Sequence, residues 1–238
     1  MRKIFLFVFA MASLAITSTA QKNDWDKEER IKGSGNVITK EIPVKSFDDL
    51  TAYGVYHLYL SQGDKETVRI EADDNLIELF IVENKGSALE ISMKKNVSID
   101  TKKKMSVYVT FKTLKKMHLS MVGGTSSEEQ LKFSDLNLTN QSVGTVDLNM
   151  TMQNFNLENG SVGTLKLKGS ADNAVIKSNS VGSIQAGDFV VQKMEIDNNG
   201  VGSATVNAEK ELKMSDSFLG KVNNKGSAAT SVKKRVRS

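Results

Sequence analysis

Apolar and polar positions in the second half of the chain repeat with a period of about 19 residues. Five segments align on a shared glycine, at Gly144, Gly163, Gly182, Gly202 and Gly220, with separations of 19, 19, 20 and 18 residues. An earlier segment, HLSMVGGTS, extends the pattern back to Gly123. A fixed period of this length indicates stacked structural units, so the sequence predicts a solenoid.

Apolar residues occupy fixed offsets from the shared glycine. The columns eight and six residues before it, and two and four residues after it, begin with Leu136, Leu138, Val146 and Leu148. A fifth apolar column lies one residue before the glycine and consists of Val143, Val162, Val181, Val201 and Leu219. We predict two short alternating strands per turn, whose inward residues come from these columns and stack on the next turn.

A tight polar corner separates the two predicted strands of each repeat, and it contains Asn140, Asn159, Ser178, Asn198 or Asp216. Asn and Gly tolerate left-handed backbone angles, and stacked Asn side chains can hydrogen-bond between turns. An antiparallel meander is the alternative, because Asn159-Gly160 and Asn199-Gly200 resemble hairpin turns. A meander does not explain the constant offsets, so the pattern favours a parallel β-helix.

The stretch from Gly33 to Val122 alternates like β-strands but shows no clear repeat. We therefore predict less regular β turns in this half, with Pro43 ending the first strand. Residues 75–82 (NLIELFIV) could form a short helical turn.

Both ends of the chain differ from the middle. Arg2 and Lys3 precede an apolar run, and Ser18-Thr19-Ala20 follows it, which predicts a secretory signal peptide over residues 1–20. A polar linker (21–32) follows, and a basic tail (228–238) ends the chain. No segment is predicted to span a membrane as a helix. The expected location is outside the cytoplasm, in the periplasm, on the outer surface or secreted.

Composition removes several classes of function. The chain has no cysteine, which excludes disulfides, Cys nucleophiles and Cys metal sites. The formal net charge is +4, but two of these charges lie in the signal peptide and four in the tail, which leaves the body at −2. The basic balance therefore gives no support to nucleic-acid binding. A lysine-rich stretch from Lys94 to Lys116 is interpreted as a protected loop or edge.

Several motifs of the chain resemble the head GIN domain family, described as putative autotransporter adhesins. The motifs are the Gly-Ser-Gly entry at residues 33–35, the Phe-x-x-Leu step from Phe47 to Leu50, the run Glu71 to Asn75, and the Ser-Val-Gly turns. The resemblance covers roughly residues 31–227, and we assign a head GIN-like domain to residues 33–227. It implies a right-handed β-helix and an exported protein of the bacterial envelope, with no catalytic motif to carry over.

Candidate chemistry is sparse. His57 and His118 lie far apart in strand-like runs and are interpreted as structural, and Asp73-Asp74-Asn75 is interpreted as a turn rather than a calcium loop. We predict no cofactor and no metal. The stacked turns place Glu158, Lys177 and Asp197 side by side, with Asp147 and Lys166 in a second outward column, and these five residues are the candidate ligand-binding face.

The sequence therefore predicts a non-catalytic, adhesin-like binding module of the cell envelope, whose polar faces bind a glycan or a cell-surface protein. One alternative is a periplasmic structural scaffold that self-associates. A second alternative is a polysaccharide-active β-helix enzyme that uses Glu158, Lys177 and Asp197.

Overall fold

The computed structural model describes residues 29–232 of the chain. The predicted signal peptide, most of the predicted linker and the last six residues of the tail lie outside the described residues. Successive repeats pair as in-register parallel strands, so the predicted parallel β-helix is confirmed and the meander is excluded. The solenoid has about six turns.

The N-terminal half contains short strands and one 3-10 turn (Ile77–Leu79), which lies within the stretch expected to form a helical turn. Its strands are β1 (Glu29–Lys32), β2 (Val37–Pro43), β3 (Asp49–Val55), β4 (His57–Gln62), β5 (Thr67–Asp73), β6 (Phe80–Lys85), β7 (Ala88–Met93), β8 (Val97–Asp100) and β9 (Ser106–Phe111).

The C-terminal half contains the long strands of the repeats. Its strands are β10 (Lys116–Val122), β11 (Thr125–Ser127), β12 (Leu131–Lys132), β13 (Asp135–Asn140), β14 (Val143–Asn159), β15 (Val162–Ser178), β16 (Val181–Asn198), β17 (Gly202–Asp216), β18 (Gly220–Asn224) and β19 (Thr230–Val232). Strands β14 to β16 each run from the polar corner of one repeat to the polar corner of the next. The second predicted strand of one repeat and the first predicted strand of the next therefore form one continuous strand.

Turns at the N-terminal end do not stack in chain order. Strands β7 and β9 form a turn that lies beside the turn of β3 and β4. Strands β10 and β11 pair with the opposite side of that same β3–β4 turn. The turn formed by β7 and β9 therefore lies at the N-terminal end of the stack, although it follows the β3–β4 turn in the sequence. The chain then crosses to the other side of the β3–β4 turn, where β10 and β11 lead into the repeats.

Antiparallel strands cover this end of the stack. Strand β6 pairs with β7, β5 pairs with β9, and β2 pairs with β5, all antiparallel. Strand β2 ends at Pro43, as predicted. These pairs hydrogen-bond the edge that a parallel turn would otherwise expose to other chains.

Four of the five apolar columns face the core. Phe155, Leu157, Leu165 and Leu167 are at most 1% exposed, and each pairs in register with its equivalent in a neighbouring turn. The buried residues form one continuous cluster along the stack. Removing this apolar surface from water is the main driving force for folding of the solenoid.

The fifth apolar column is exposed, which corrects the expectation that it belongs with the inward residues. Val143 is 47% exposed, Val162 50%, Val181 53% and Val201 49%. Strand alternation continues through the corner, so Asn140 and Ser142 point inward while Gln141 and Val143 point outward. The corner thus has polar side chains inside and apolar side chains outside.

The inward polar residues of the corner form a buried ladder. The Asn140 side-chain amide donates to Asn159 Oδ1 over 3.0 Å, and the Asn159 amide donates to Ser178 Oγ over 3.4 Å. The Ser161 hydroxyl also donates to Asn159 Oδ1 over 2.9 Å. These bonds satisfy polar groups that are cut off from water, which confirms the predicted hydrogen bonding between stacked turns.

Four of the five shared glycines have a positive φ, namely Gly144, Gly163, Gly182 and Gly202. Gly163 has a φ of 138°, a left-handed value that side-chain-bearing residues rarely adopt. A Cβ atom at Gly163 would overlap the carbonyl oxygen of Gly144 in the neighbouring turn. The close approach of successive turns at this point therefore excludes every other residue type.

Strands also form in residues that the sequence analysis assigns to the linker and to the tail. The last four residues of the predicted linker form β1, which pairs with β8 in a separate two-stranded sheet. At the other end, β19 lies within the predicted basic tail and pairs with β17. Asn224 links the last turn to its neighbour, since its side chain bonds the backbone N–H and C=O groups of both Ala208 and Gly226.

Asp73, Asp74 and Asn75 form a turn that holds the entry segment, as interpreted from the sequence. Asp73 is fully buried and accepts hydrogen bonds from the Thr101 hydroxyl and the Gly35 backbone N–H. Asp74 accepts bonds from the side chains of Ser34 and Asn36, and these bonds lower the pKa of its carboxyl group. The carboxylates are therefore used to position the backbone near Gly35.

Candidate polar groove on the outer face

The candidate residues lie on two outward faces on either side of the corner. Glu158 is in register with Lys177, and Lys177 is in register with Asp197, so the three form one column across neighbouring strands. Neighbouring strands lie about 4.8 Å apart. Alternating charges at this spacing attract one another and keep the face soluble.

Glu158 and Lys177 line a shallow groove of about 310 Å³. The groove includes the open space beside Gly160, which has no side chain: a Cβ atom there would meet no atom within 4 Å. The lining residues are all polar apart from this glycine, namely Thr139, Gln141, Glu158, Asn159, Gly160, Lys177 and Asn179.

The other three candidate residues do not line this groove. Asp197 continues the column one turn further, where its carboxylate accepts a hydrogen bond of 2.7 Å from the Ser215 hydroxyl. Asp147 and Lys166 are in register with each other beyond the valine column. The Lys168 ammonium lies 3.4 Å from Asp147 Oδ1. The five candidates therefore divide into two groups separated by the corner.

The groove offers several hydrogen-bonding groups within a small area. Asn and Gln side chains both donate and accept, hydroxyl groups do likewise, the carboxylate accepts and the ammonium group donates. This mixture fits a ligand rich in hydroxyl groups. Within residues 29–232, no three His, Asp or Glu side chains converge in a way that could hold a metal ion.

An aromatic cluster near the N-terminal end was missed in the sequence. Tyr59 and Tyr108 stack with ring centroids 4.8 Å apart, and the Arg69 guanidinium lies 3.7 Å above the Tyr108 ring. The three residues follow one another in register in the column that continues to Asp147 and Lys166. Alternation in their strands predicts that they face outward, but it does not predict which strands are neighbours.

The two histidines lie within ring clusters, in line with a structural role. His57 packs 5.3 Å from Tyr59, and burial followed by the nearby charge of Lys104 lowers the pKa of its imidazole. His118 packs 5.5 Å from Tyr53. In the lysine-rich stretch, the Lys104 ammonium donates to the Tyr59 hydroxyl over 2.5 Å and Lys115 pairs with Asp48 over 2.8 Å.

A family model described as the putative auto-transporter adhesin, head GIN domain matches residues 46–228. The chain belongs to this family. The match spans the β-helix from the β3 turn to the last repeat, which confirms the resemblance seen in the motifs. No curated protein matches the chain. Within the described range, no helix is long and apolar enough to cross a membrane.

Solved structures of this fold are similar over most of the chain. A putative adhesin from Bacteroides fragilis is 30% identical with a TM-score of 0.73, over 85% of this chain and 99% of that one. A putative adhesin from Parabacteroides distasonis is 22% identical with a TM-score of 0.64, over 86% and 96% of the two chains. A putative lipid binding protein from the same organism is 20% identical with a TM-score of 0.59, over 87% and 100%.

Proposed function

We propose that this protein is an exported, adhesin-like module of the cell envelope that binds a glycan in the groove beside Gly160 and has no catalytic activity. The observation that carries the proposal is the chemistry of the groove, in which hydroxyl, amide, carboxylate and ammonium groups surround the open space at Gly160. A sugar presents closely spaced hydroxyl groups that both donate and accept, and these groups match that lining.

The size of the groove also suits a sugar unit. A volume of about 310 Å³ lies at the lower end of the range for small-ligand sites. The groove is shallow and open, and a longer chain of sugars could follow the outer columns from turn to turn. The family description and the similar adhesin at 30% identity support a binding role at the cell surface.

Catalysis is the less favoured function. Glycoside hydrolases depend on a general acid whose environment keeps it protonated near neutral pH. Glu158 is exposed on an open face, and Asp197 accepts a hydrogen bond from Ser215. This arrangement suits carboxylates that bind hydroxyl groups better than carboxylates that transfer protons in a closed site.

Filling the groove tests the proposal. Gly160→Leu places a side chain in this open space, and Gly160 has no atom near its missing Cβ, so the fold should be retained. We expect residues 21–238 to bind at least one probe among lipopolysaccharide core oligosaccharides, peptidoglycan fragments and mucin O-glycans. The variant should bind that probe at least about 10-fold more weakly. Isothermal titration calorimetry measures both affinities.

The matched control is Gln153→Leu, which introduces the same leucine side chain at an exposed position that does not line the groove. This variant should bind like the unmodified chain, and equal weakening by both variants would contradict a site at Gly160. Absence of binding to every probe at millimolar concentration would count against the glycan. New reducing ends that appear with a polysaccharide and disappear in the Glu158→Ala/Asp197→Ala variant would instead show an enzyme.

A further inference from the structure

A larger cavity, of about 580 Å³, lies beside the corner where β9 leads into β10 and β12 leads into β13. Its lining residues lie between 113 and 116 in one turn and between 132 and 137 in the neighbouring turn. The volume is within the usual range for small-molecule sites. We call this cavity the lysine pocket, because its lining includes Lys115, Lys116 and Lys132.

The two turns are joined on either side of the lysine pocket. On one side, the Gln62 side-chain amide donates hydrogen bonds to the carbonyl oxygens of Lys112 over 3.1 Å and of Lys132 over 2.9 Å. On the other side, the parallel pairing of β10 with β13 begins at Lys116 and Asn137. Both edges of the cavity are therefore fixed by the fold.

The turns separate between these two points because their connecting segments differ in length. Three residues (113–115) lie between the points in one turn, and four (133–136) lie between them in the other. Segments of unequal length cannot stay paired residue by residue. In the next two turns the segments are equally long, and they pair through the same corner at Met152 and Ala171. The cavity is therefore a consequence of the extra residue.

The floor of the lysine pocket is apolar. Leu114 and Phe133 are its least exposed lining residues: Leu114 is buried, and Phe133 is half-buried and packs against the core. The Phe133 ring also stacks on the Phe111 ring, with centroids 5.9 Å apart, so the core holds it in place. An apolar chain that lies on this floor is removed from water, which favours binding.

The rim of the lysine pocket is positively charged. The Lys115 ammonium pairs with Asp48 over 2.8 Å. Within residues 29–232, the side chains of Lys116 and Lys132 have no ion-pair or hydrogen-bond partner. Two ammonium groups are therefore available beside an apolar floor, and a cleft lined by one sign of charge attracts ligands of the opposite sign.

The acidic residues near the rim leave it positive. Asp135 supplies the carboxylate of the lining, and it accepts a hydrogen bond of 2.6 Å from the Asn154 side-chain amide. Asp49 in β3 is the in-register neighbour of Lys116, but it does not line the cavity. The lining therefore carries more positive than negative charge, and an anionic ligand complements it.

We propose that the lysine pocket binds a free carboxylic acid with an apolar chain of medium length. The chain lies against Leu114 and Phe133, and the ionised head accepts hydrogen bonds from the ammonium groups of Lys116 and Lys132. Such charge-assisted hydrogen bonds are stronger than those between neutral groups. A wholly apolar molecule leaves the ammonium groups unused, and a small anion leaves the floor uncovered, so the pocket favours a molecule that has both parts.

Matched probes test this preference by isothermal titration calorimetry on residues 21–238. Octanoate has the chain and the charged head, 1-octanol has the chain with a neutral head, and acetate has the head alone. Octanoate should bind, and the other two probes should bind at least about 10-fold more weakly. Absence of octanoate binding at about 1 mM, or equal binding of octanoate and 1-octanol, would overturn the proposal. So would binding to phosphatidylglycerol vesicles without binding to octanoate, since the occupant would then be a membrane surface.

Charge variants locate the head of the ligand. Lys116→Gln/Lys132→Gln should weaken octanoate binding about 10-fold and leave 1-octanol binding unchanged, because it removes the charges and keeps the floor. Lys210→Gln/Lys221→Gln is the matched control, since these two lysines are also exposed but do not line the pocket. The control should bind octanoate like the unmodified chain. Equal weakening by both pairs would indicate a general effect of charge and would overturn the site.

A filling variant locates the chain of the ligand. Ser134 is an exposed lining residue, and Ser134→Trp places a large ring at the cavity. This variant should bind both octanoate and 1-octanol at least about 10-fold more weakly. Ser134→Ala is its control and should bind both probes like the unmodified chain. Full octanoate binding by Ser134→Trp would show that the chain of the ligand lies elsewhere.

These probes contain no sugar, so the lysine pocket and the glycan groove can fail separately. Asn137 lines the pocket, and Thr139, the next outward residue of β13, lines the groove. Among the described residues, none lines both cavities. Octanoate binding in a chain that binds no glycan would support the pocket alone, and glycan binding in a chain that binds no octanoate would overturn it.

Discussion

The inner and outer columns of the corner reverse the usual distribution of polarity. Asn140, Asn159 and Ser178 are buried, whereas Val143 and Val162, three residues after Asn140 and Asn159, are about half exposed. The inner residues tolerate burial because they hydrogen-bond to each other along the stack. The outer valines have no such reason to be there for stability. The comparison indicates that the inner column specifies the fold, and the outer column is available for binding.

The largest effect on stability should come from the shared glycine that directly follows the outer column. Gly163→Ala is expected to destabilise the chain by about 4 kcal/mol or more, because the new Cβ overlaps the Gly144 carbonyl and φ is 138°. Gly160→Ala is the control, since its Cβ meets no atom within 4 Å. Urea unfolding measures both free energies, and a similar loss for the two variants would show that the close approach of turns is not the cause.

A smaller loss in the free energy of unfolding is expected when the buried ladder of hydrogen bonds is broken. Asn159→Ala removes partners of Asn140, Ser161 and Ser178, and leaving such buried groups unsatisfied costs about 1–3 kcal/mol. Asn156→Ala removes a similar hydrogen bond of 3.0 Å, which the Asn156 side-chain amide donates to Asn137 Oδ1, but this bond lies on the exposed face of the sheet. We expect it to change the free energy of unfolding by less than about 0.5 kcal/mol. Equal losses in urea unfolding would mean that burial is not what distinguishes the two ladders.

The sequence predicted the repeats well because each turn carries its own pattern of apolar offsets and a glycine. The stacking order of the N-terminal turns could not be predicted in this way. Strands β7 and β9 alternate like β3 and β4, and only contacts between distant parts of the chain place them next to each other. The antiparallel cover formed by β2, β5 and β6 depends on the same long-range pairing.

The sequence predicts the pairing within the candidate site, and its pattern also contained the information needed to predict that the valine column is exposed. Glu158 and Lys177 were placed together because strands in register align equal offsets from the glycine. The exposure of Val162 was missed, although its offset is odd and those of the buried columns are even. Because strand alternation continues through the corner, residues at odd offsets face outward on both sides of it. The groove depends on a different feature, the missing side chain of Gly160, which no hydrophobic pattern shows.

The smallest effect on stability should come from the outer column itself. Val162→Thr keeps the shape and removes apolar surface that the monomer leaves half exposed, so the free energy of unfolding should change by less than about 0.5 kcal/mol. Val146→Thr makes the same replacement at a residue that is 2% exposed, where an unpaired hydroxyl costs about 1–3 kcal/mol. Urea unfolding measures both free energies. A large loss of stability for Val162→Thr would mean that the outer column stabilises the fold, contrary to what its exposure indicates.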